Sequence, residues 1–322
     1  MTSALPPALL LAAGLGTRLR PLTFCRAKAA VPVAGIPLVC RHLTALAAQG
    51  VRDVVVNLHH RPETIAGVVG DGGALGCRVR YSWERSLLGS AGGPRRALPL
   101  LGDSFLLVNG DTLCDIDLTA LVDTHQRCGA RVTLAVTSNP APHRYGGVLA
   151  GDDGWVTGFA GPGDPRRPWH FVGVQIADAA VFTTLTDGVV AASIGGLYDT
   201  LLTGHSQVAI HRVTGRFHDI GTPADYLETN RAMGAGGDGE VSRGTRTVVH
   251  PSARVERSIL WDDVSVGPGC VVIDSVLADG VRLRDGTLLD RQAVVRLPSE
   301  HDGAFALPPG AARIGDLLTV PL

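Results

Sequence analysis

The sequence predicts an α/β fold in which a mostly parallel sheet is covered by helices on both faces, followed by a short parallel β-helix. Three observations carry this. Apolar runs of strand length alternate with segments of helical spacing through the first two-thirds of the chain, the pattern of a parallel sheet wrapped by its crossover helices. Glycines and acidic residues cluster where those runs end, which is where such sheets bind ligands. A 17-residue repeat of aliphatic residues occupies the last third, and hexapeptide-like periodicity of this kind marks a parallel β-helix.

Leu9 to Ala13 is a continuous apolar run, as expected of a strand buried on both faces. Glycines and a turn follow. Leu38 to Gln49 has helical spacing and ends at Gly50, a good C-terminal glycine. Asp53 to Leu58 reads as the next strand, Glu63 to Val69 as a helix, and the alternating Arg78 to Trp83 as a strand at a sheet edge. Ser104 to Val108 is another buried strand, ending at Asn109-Gly110-Asp111. Leu118 to Cys128 reads as a helix and Val132 to Thr137 as a strand. Asp152-Asp153 falls in a glycine-flanked hairpin turn.

Composition changes after Met233. Gly234 to Gly239 reads as a linker. Beyond it Val249, Val266 and Leu283 are in phase, as are Val255, Val272 and Leu289. The expected division is a first domain over 1–233, a linker over 234–245, a β-helix over 246–297 and a tail over 298–322 that caps the open end of the helix or pairs subunits.

Composition narrows the function. The 322 residues carry a net charge of −1 and no long basic run, which gives no footing for nucleic acid or an anionic membrane. No apolar stretch is long enough to span a bilayer. The N-terminus has no basic region ahead of its apolar run, so it reads as a core strand and not as a signal peptide. Six cysteines without CxxC spacing read as small apolar residues of a reducing compartment, and the expected location is cytoplasmic.

Of 29 lysines and arginines only Lys28 is a lysine. A lysine kept against such a bias points to a place where a compact ammonium works and a planar guanidinium does not. Chance is the alternative, but Lys28 lies in the one glycine-rich stretch of phosphate-loop type. There Gly14-Leu15-Gly16-Thr17-Arg18 follows a buried strand. Glycines let a backbone approach a ligand and leave its N–H groups open to phosphate oxygens. The spacing is neither a Walker loop nor GxGxxG, since Leu19 stands at the third glycine position.

The stretch LAAGLGTRLRPLT…AKAAVPVAGIPL resembles the N-terminal signature of the sugar-1-phosphate nucleotidyltransferases. Four further segments resemble that family's motifs in order. They are Glu84 with Leu88-Gly89-Ser90-Ala91-Gly92-Gly93, then Val108-Asn109-Gly110-Asp111, then Tyr145-Gly146-Gly147-Val148, and last Phe217-His218-Asp219-Ile220-Gly221-Thr222-Pro223. The resemblance spans roughly residues 8 to 232. It implies a Rossmann-like three-layer sandwich with a C-terminal left-handed parallel β-helix, and attack of a sugar-1-phosphate on the α-phosphorus of a nucleoside triphosphate. It implies Mg²⁺ on Asp111 and Asp219, because hard carboxylates suit that ion. It assigns Arg18 to the triphosphate and Lys28 to charge at the α-phosphate. It assigns Leu11, Ala12, Ala13, Gly14, Gly16, Thr17, Glu84 and Gly89 to the nucleotide, and Tyr145, Gly146 and Gly173 to the sugar phosphate. A homodimer or homotetramer is expected, with the β-helix as its contact.

Blander readings stand beside these. Asp111 would also suit a turn after a strand. Asp219 would favour the helix that opens at Thr222-Pro223, a good N-cap followed by proline. Glu84 reads as a solvated loop charge or as a base or ribose contact, and Tyr145 as a core aromatic or a sugar contact. His59-His60 reads as loop-end packing. Two departures from the family pattern matter. Ala27-Lys28 replaces Pro-Lys, and Phe159-Ala160-Gly161-Pro162 stands where many members carry Glu-Lys-Pro. Arg166 or Arg167 is the candidate for the missing phosphate contact, since arginine binds phosphate bidentately. The favoured branches resemble mannose- or heptose-1-phosphate guanylyltransferases and N-acetylmuramate-1-phosphate uridylyltransferases. A non-catalytic nucleotide-sugar-binding regulator and an acyltransferase using His250 are the rivals.

Overall fold

The computed structural model describes residues 5–203, 207–234, 242–296 and 307–322. The chain divides into two compact units, one of residues 1–14 and 39–218, the other of residues 15–38 and 219–322. This division differs from the expected cut at 233. The segment after Gly14 and the chain beyond His218 group with the coils, so the glycine-rich stretch is split between the units.

The first unit is built on a seven-stranded sheet. Its strands are β1 (Ala8–Leu11), β2 (Asp53–Leu58), β3 (Arg78–Trp83), β4 (Ser104–Asn109), β5 (Val132–Thr137), β6 (His170–Asp178) and β7 (Val208–Arg212). Their order is β7-β5-β6-β4-β1-β2-β3, with β3 at the edge as its alternation predicts. Only β6 runs antiparallel, to both β4 and β5; the other ladders are parallel. Helices α1 (Leu38–Ala48), α2 (Pro62–Val69), α3 (Gly89–Ala97) and α4 (Leu118–Cys128) follow β-strands or lead into them. The core packs Leu9, Val55, Leu107, Leu134 and Val136 from the sheet with Phe105, Phe182 and Tyr198. Asp152 and Asp153 sit in the turn between the antiparallel strands Gly147–Ala150 and Val156–Ala160, as read from the sequence.

The second unit contains α5 (Pro223–Met233) and three ladders of short parallel strands. Val249 pairs with Val266 and Val266 with Leu283. Val255 pairs with Val272 and Val272 with Leu289. The 17-residue period is thus the length of one coil, and each equivalent aliphatic stacks on the one before it. Val266, Val272, Leu283 and Leu289 fill the interior. The coils begin earlier than residue 246, because Ser242–Arg243 already pairs with Ile259–Leu260; most of the expected linker, and residues 297–306, lie outside the described residues. Leu317–Pro321 folds back antiparallel onto Gln292–Arg296, and Ala312–Ile314 adds beyond it. The tail therefore extends one face of the last coil and pairs its edge.

Candidate functional site

Four neighbouring strands of the first unit, β4-β1-β2-β3, run parallel and end together. Their carboxyl ends carry the sequence-predicted residues. β1 runs into Ala12–Gly14, β3 into Glu84 and β4 into Gly110-Asp111. Gly110 donates its N–H to the Leu11 carbonyl at 2.9 Å. A Cβ on Gly110 would lie 2.5 Å from that same oxygen, so the turn before Asp111 needs glycine to close on β1.

Asn57, at the end of β2, was not singled out by the sequence. It is buried. Its Oδ1 accepts the N–H groups of Ala12 at 2.6 Å and Ala13 at 3.2 Å. Its Nδ2 donates to Glu84 Oε1 at 2.7 Å, which fixes the orientation of the amide. The other Glu84 oxygen accepts the Leu88 N–H at 2.9 Å. Glu84 is 1% exposed. One of the two readings of Glu84 changes as a result. Glu84 is not a solvated loop charge; a buried carboxylate must be hydrogen-bonded, and its partners here are protein groups. The Ala12 and Ala13 amides are taken by Asn57. The signal for Asn57 was a polar residue closing an apolar strand, DVVVN.

Gly89 and its neighbours are helical. They open α3, with Gly89 at φ +80°. A Cβ on Gly89 would lie 2.6 Å from the Ala191 carbonyl oxygen, and one on Gly92 would lie 2.7 Å from that of Val189. The glycines admit the 189–191 backbone, which accepts N–H bonds from Ala91 and Gly92.

On the sugar-type segment, Tyr145 stacks on His170 at 4.7 Å between ring centroids, and His170 in turn meets Phe217 edge-on at 4.6 Å. Gly146 and Gly173 are glycines for packing reasons: a Cβ would lie 2.4 Å from the Ala160 oxygen and 2.5 Å from Thr112 Oγ1, respectively. Arg166 is exposed and its fork is engaged by Asp164, with Nε to Oδ1 at 2.9 Å and Nη2 to Oδ2 at 2.6 Å. That pairing, led by the hydrogen bonds to Arg166, holds the Asp164 carboxyl down at about 2. Arg167 adopts φ +53° beside it and is exposed. His59 Nδ1 contacts the Glu84 carbonyl oxygen at 3.0 Å, a packing role at the end of β2.

The second unit carries the rest of the signature. Gly16 is left-handed at φ +60°, and a Cβ there would lie 2.7 Å from Thr23 Cγ2 and 3.1 Å from Lys28 Cβ. The glycine thus lets Lys28 pack against the start of the loop, while Thr23 Oγ1 donates to the Gly16 carbonyl at 3.0 Å. Thr17 and Arg18 lie in a short 3₁₀ turn that buries Leu19. A Cβ on Gly14 would meet nothing within 4 Å. Arg18 and Asp219 converge on Gly221: a Cβ there would lie 3.1 Å from Arg18 Nη1 and 3.2 Å from Asp219 Oδ2. Thr222 caps α5 in a capping box with Asp225, and Pro223 takes the first helical position, as expected. His250 Nδ1 is engaged by Ser252 Oγ at 2.8 Å on an exposed coil corner.

Among the described residues no three His, Cys, Asp or Glu side chains cluster to hold a metal ion. Mg²⁺ does not need such a cage, since it binds through one or two carboxylates together with phosphates and water. The donor chemistry of Asp111 and Asp219 fits that habit.

Residues 7–235 match the family described as Nucleotidyl transferase. The chain belongs to that family. It is 29% identical to the mannose-1-phosphate guanylyltransferase of Mycobacterium tuberculosis over 297 residues, which covers 88% of this chain and 83% of the relative. It is 35% identical to the N-acetylmuramate alpha-1-phosphate uridylyltransferase of Neisseria meningitidis, over 71% of this chain and 98% of the relative. The crystal structure of HddC from Yersinia pseudotuberculosis matches the fold with a TM-score of 0.62 at 22% identity, over 71% of this chain and 99% of that one. Among the described residues no helix is long and apolar enough to cross a membrane.

Proposed function

We propose that this chain is a sugar-1-phosphate nucleotidyltransferase. A phosphate oxygen of the sugar-1-phosphate attacks the α-phosphorus of a nucleoside triphosphate. The bond from that phosphorus to the bridging oxygen breaks, and pyrophosphate leaves. The observation that carries the reading is the packing of Lys28, the sole lysine, against Gly16 of the glycine loop, with Arg18 and Asp219 converging on Gly221 in the same unit.

Both reactants are anions, so positioning and charge stabilisation are the main tasks. Lys28 holds positive charge at the α-phosphate as it changes hands, and Arg18 holds the triphosphate tail and the departing pyrophosphate. Asp111 and Asp219 would hold Mg²⁺, which would supply Lewis-acid stabilisation of the phosphate charge. Leu11, Gly14, Gly16 and Thr17, with Gly89, line the nucleotide side. Ala12, Ala13 and Glu84 act behind them through Asn57. Tyr145, Gly146 and Gly173 form the sugar side. Arg167, whose neighbour Arg166 is tied to Asp164, is the better candidate for the sugar phosphate.

Guanylyl transfer to mannose- or heptose-1-phosphate is the favoured pair, with uridylyl or thymidylyl transfer to another sugar-1-phosphate as the alternative; relatives named for guanylyl and uridylyl transfer support both. Six cysteines, none in a disulfide, support a cytoplasmic setting, and a homodimer or homotetramer is expected. The absence of Glu-Lys-Pro favours a second reading, a nucleotide-sugar-binding regulator. Pyrophosphate release, measured with Mg²⁺ for ATP, GTP, CTP, UTP and dTTP against a panel of sugar-1-phosphates, separates the two. Release that requires one pair and is lost without Mg²⁺ is expected. Silence across the grid, with nucleotide-sugar binding seen by calorimetry, would establish the regulator instead.

A further inference from the structure

Within the second unit, the signature segment is fastened to the coils by Arg26. Its Nε and Nη2 grip Asp279 through both carboxylate oxygens, each at 2.6 Å, and Nη2 also reaches Asp262 Oδ2 at 2.5 Å. Its guanidinium carbon lies 5.2 Å from the centre of the Trp261 ring. Asp262 and Asp279 are 17 residues apart, one coil length, so a single side chain reads two successive coils. The column continues: Asp262 Oδ1 accepts the N–H of Thr245 at 2.7 Å and its hydroxyl at 2.9 Å. Burial works against the Arg26 charge, but the hydrogen bonds and charges of Asp279 and Asp262 more than offset it, and its pKa lies above the usual range.

A second fastening lies a few residues on. Trp261 Nε1 donates to the Tyr226 hydroxyl at 2.9 Å, and that hydroxyl donates to the Pro32 carbonyl. The Ala34 N–H is taken by Asn230 Oδ1 at 2.8 Å. Lys28 sits between Arg26 and Pro32, in a 3₁₀ turn of residues Lys28–Ala30. Nothing in the glycine loop itself explains why Arg26 should be bidentate to a coil residue more than 250 positions away in sequence.

We propose that Arg26 is a positioning residue for Lys28, and that the coils bearing Asp262 and Asp279 are a working part of the catalytic loop rather than an appendage for assembly. The catalytic half of this claim rests on the reading of Lys28 under Proposed function. A misplacement of about 1 Å at a reacting group costs on the order of 10²-fold in rate. A guanidinium held bidentately, against an aromatic face, supplies the orientation that a lone ammonium would not.

Because Lys28 is the only lysine, growth on isotope-labelled lysine gives one backbone amide signal and one side-chain signal, a site-specific reporter that needs no substrate. The full chain is compared with Asp262→Asn/Asp279→Asn. Both substitutions are remote in sequence from Lys28, and the side chains they alter bond the signature segment at Arg26. The expected result is a displaced or split Lys28 signal, with kcat reduced about 10- to 100-fold and substrate KM within about threefold. Arg246→Met, which removes the exposed coil pair with Asp263, should leave signal and kcat in place. Should the double variant not fold, Arg26→Met/Asp262→Asn/Asp279→Asn removes all three charges together and is expected to give the same displacement. A Lys28 signal superposed on wild type in a folded variant overturns the proposal, as does an equal displacement in Arg246→Met. A displaced signal with unchanged kcat overturns the catalytic half. If no substrate pair turns over in wild type, the catalytic reading fails, while the lysine signal still decides whether the coils set the loop.

Discussion

Ala12–Gly14 and Leu15–Leu38 are consecutive in sequence and belong to one glycine-rich signature, yet they are held by different chemistry. The first piece is fixed from behind by a buried amide. Asn57 takes the N–H groups of Ala12 and Ala13 and is itself held by Glu84, with no solvent-exposed member in the chain of bonds. The second piece is fixed by a part-buried charged cluster, Arg26 with Asp279 and Asp262. Buried polar networks are costly when half satisfied, because an orphaned donor cannot fall back on water. A bidentate arginine–carboxylate cluster is directional while present. The difference assigns stability to the first piece and alignment to the second.

The largest effect expected is on rate. Lys28→Ala should lower kcat by about 10²- to 10³-fold, the usual loss on removing one preorganised charge-stabilising group, with little change in melting temperature. Pyrophosphate release and a thermal melt on the same preparation check both halves. Asn57→Leu should act the other way round. It orphans the Ala12 and Ala13 amides and a Glu84 oxygen, at about 1–3 kcal/mol for each group, so urea unfolding should show a loss of at least about 3 kcal/mol. A melt unchanged in Asn57→Leu would break the comparison at its first term.

The next prediction is a pH dependence. His42 is buried, and its Nε2 has no hydrogen-bond partner among the described residues. Burial lowers its pKa to about 4, with the nearby Asp111 charge opposing the shift. Its unfolded value is about 6.5. The unfolded chain therefore binds the proton first, and stability present above pH 6.5 is lost as pH falls towards 4, by about 3 kcal/mol at most. His42→Leu should flatten that slope in urea titrations run from pH 7 to pH 4.5. Equal slopes in the two proteins would show that His42 is not the group responsible. Smallest is Thr222→Ala, which removes a capping box of α5 and should cost about 1 kcal/mol, a shift of about 2–3 °C in the melt.

Much of the fold was legible, for reasons of pattern. Asp53–Leu58, Arg78–Trp83 and Val132–Thr137 carry strand periodicity within their own residues, and the observed bounds coincide with the expected ones. The 17-residue repeat could be read because equivalent aliphatics pair from coil to coil. Helix α3 could not. GSAGGPRRA is poor in helix formers, and its glycines serve the close approach of the 189–191 backbone, a tertiary demand that overrides local propensity. At the site, the packing of Lys28 against Gly16 falls within the stretch that the sequence singled out. The parts played by Asn57 and Arg26 were not legible, because each acts through partners far away in sequence, and a lone polar residue at a strand end or one arginine among many carries no local mark.

The central claim is that position 28 needs a compact ammonium, and Lys28→Arg tests it most directly. Steady-state pyrophosphate release is measured for wild type, Lys28→Ala and Lys28→Arg with the active substrate pair. The account predicts that arginine, though it keeps the charge, leaves kcat within about tenfold of the alanine variant, since the two cations are not interchangeable at a phosphate in motion. Wild-type kcat in Lys28→Arg would contradict it and reduce the lone lysine to an accident of composition.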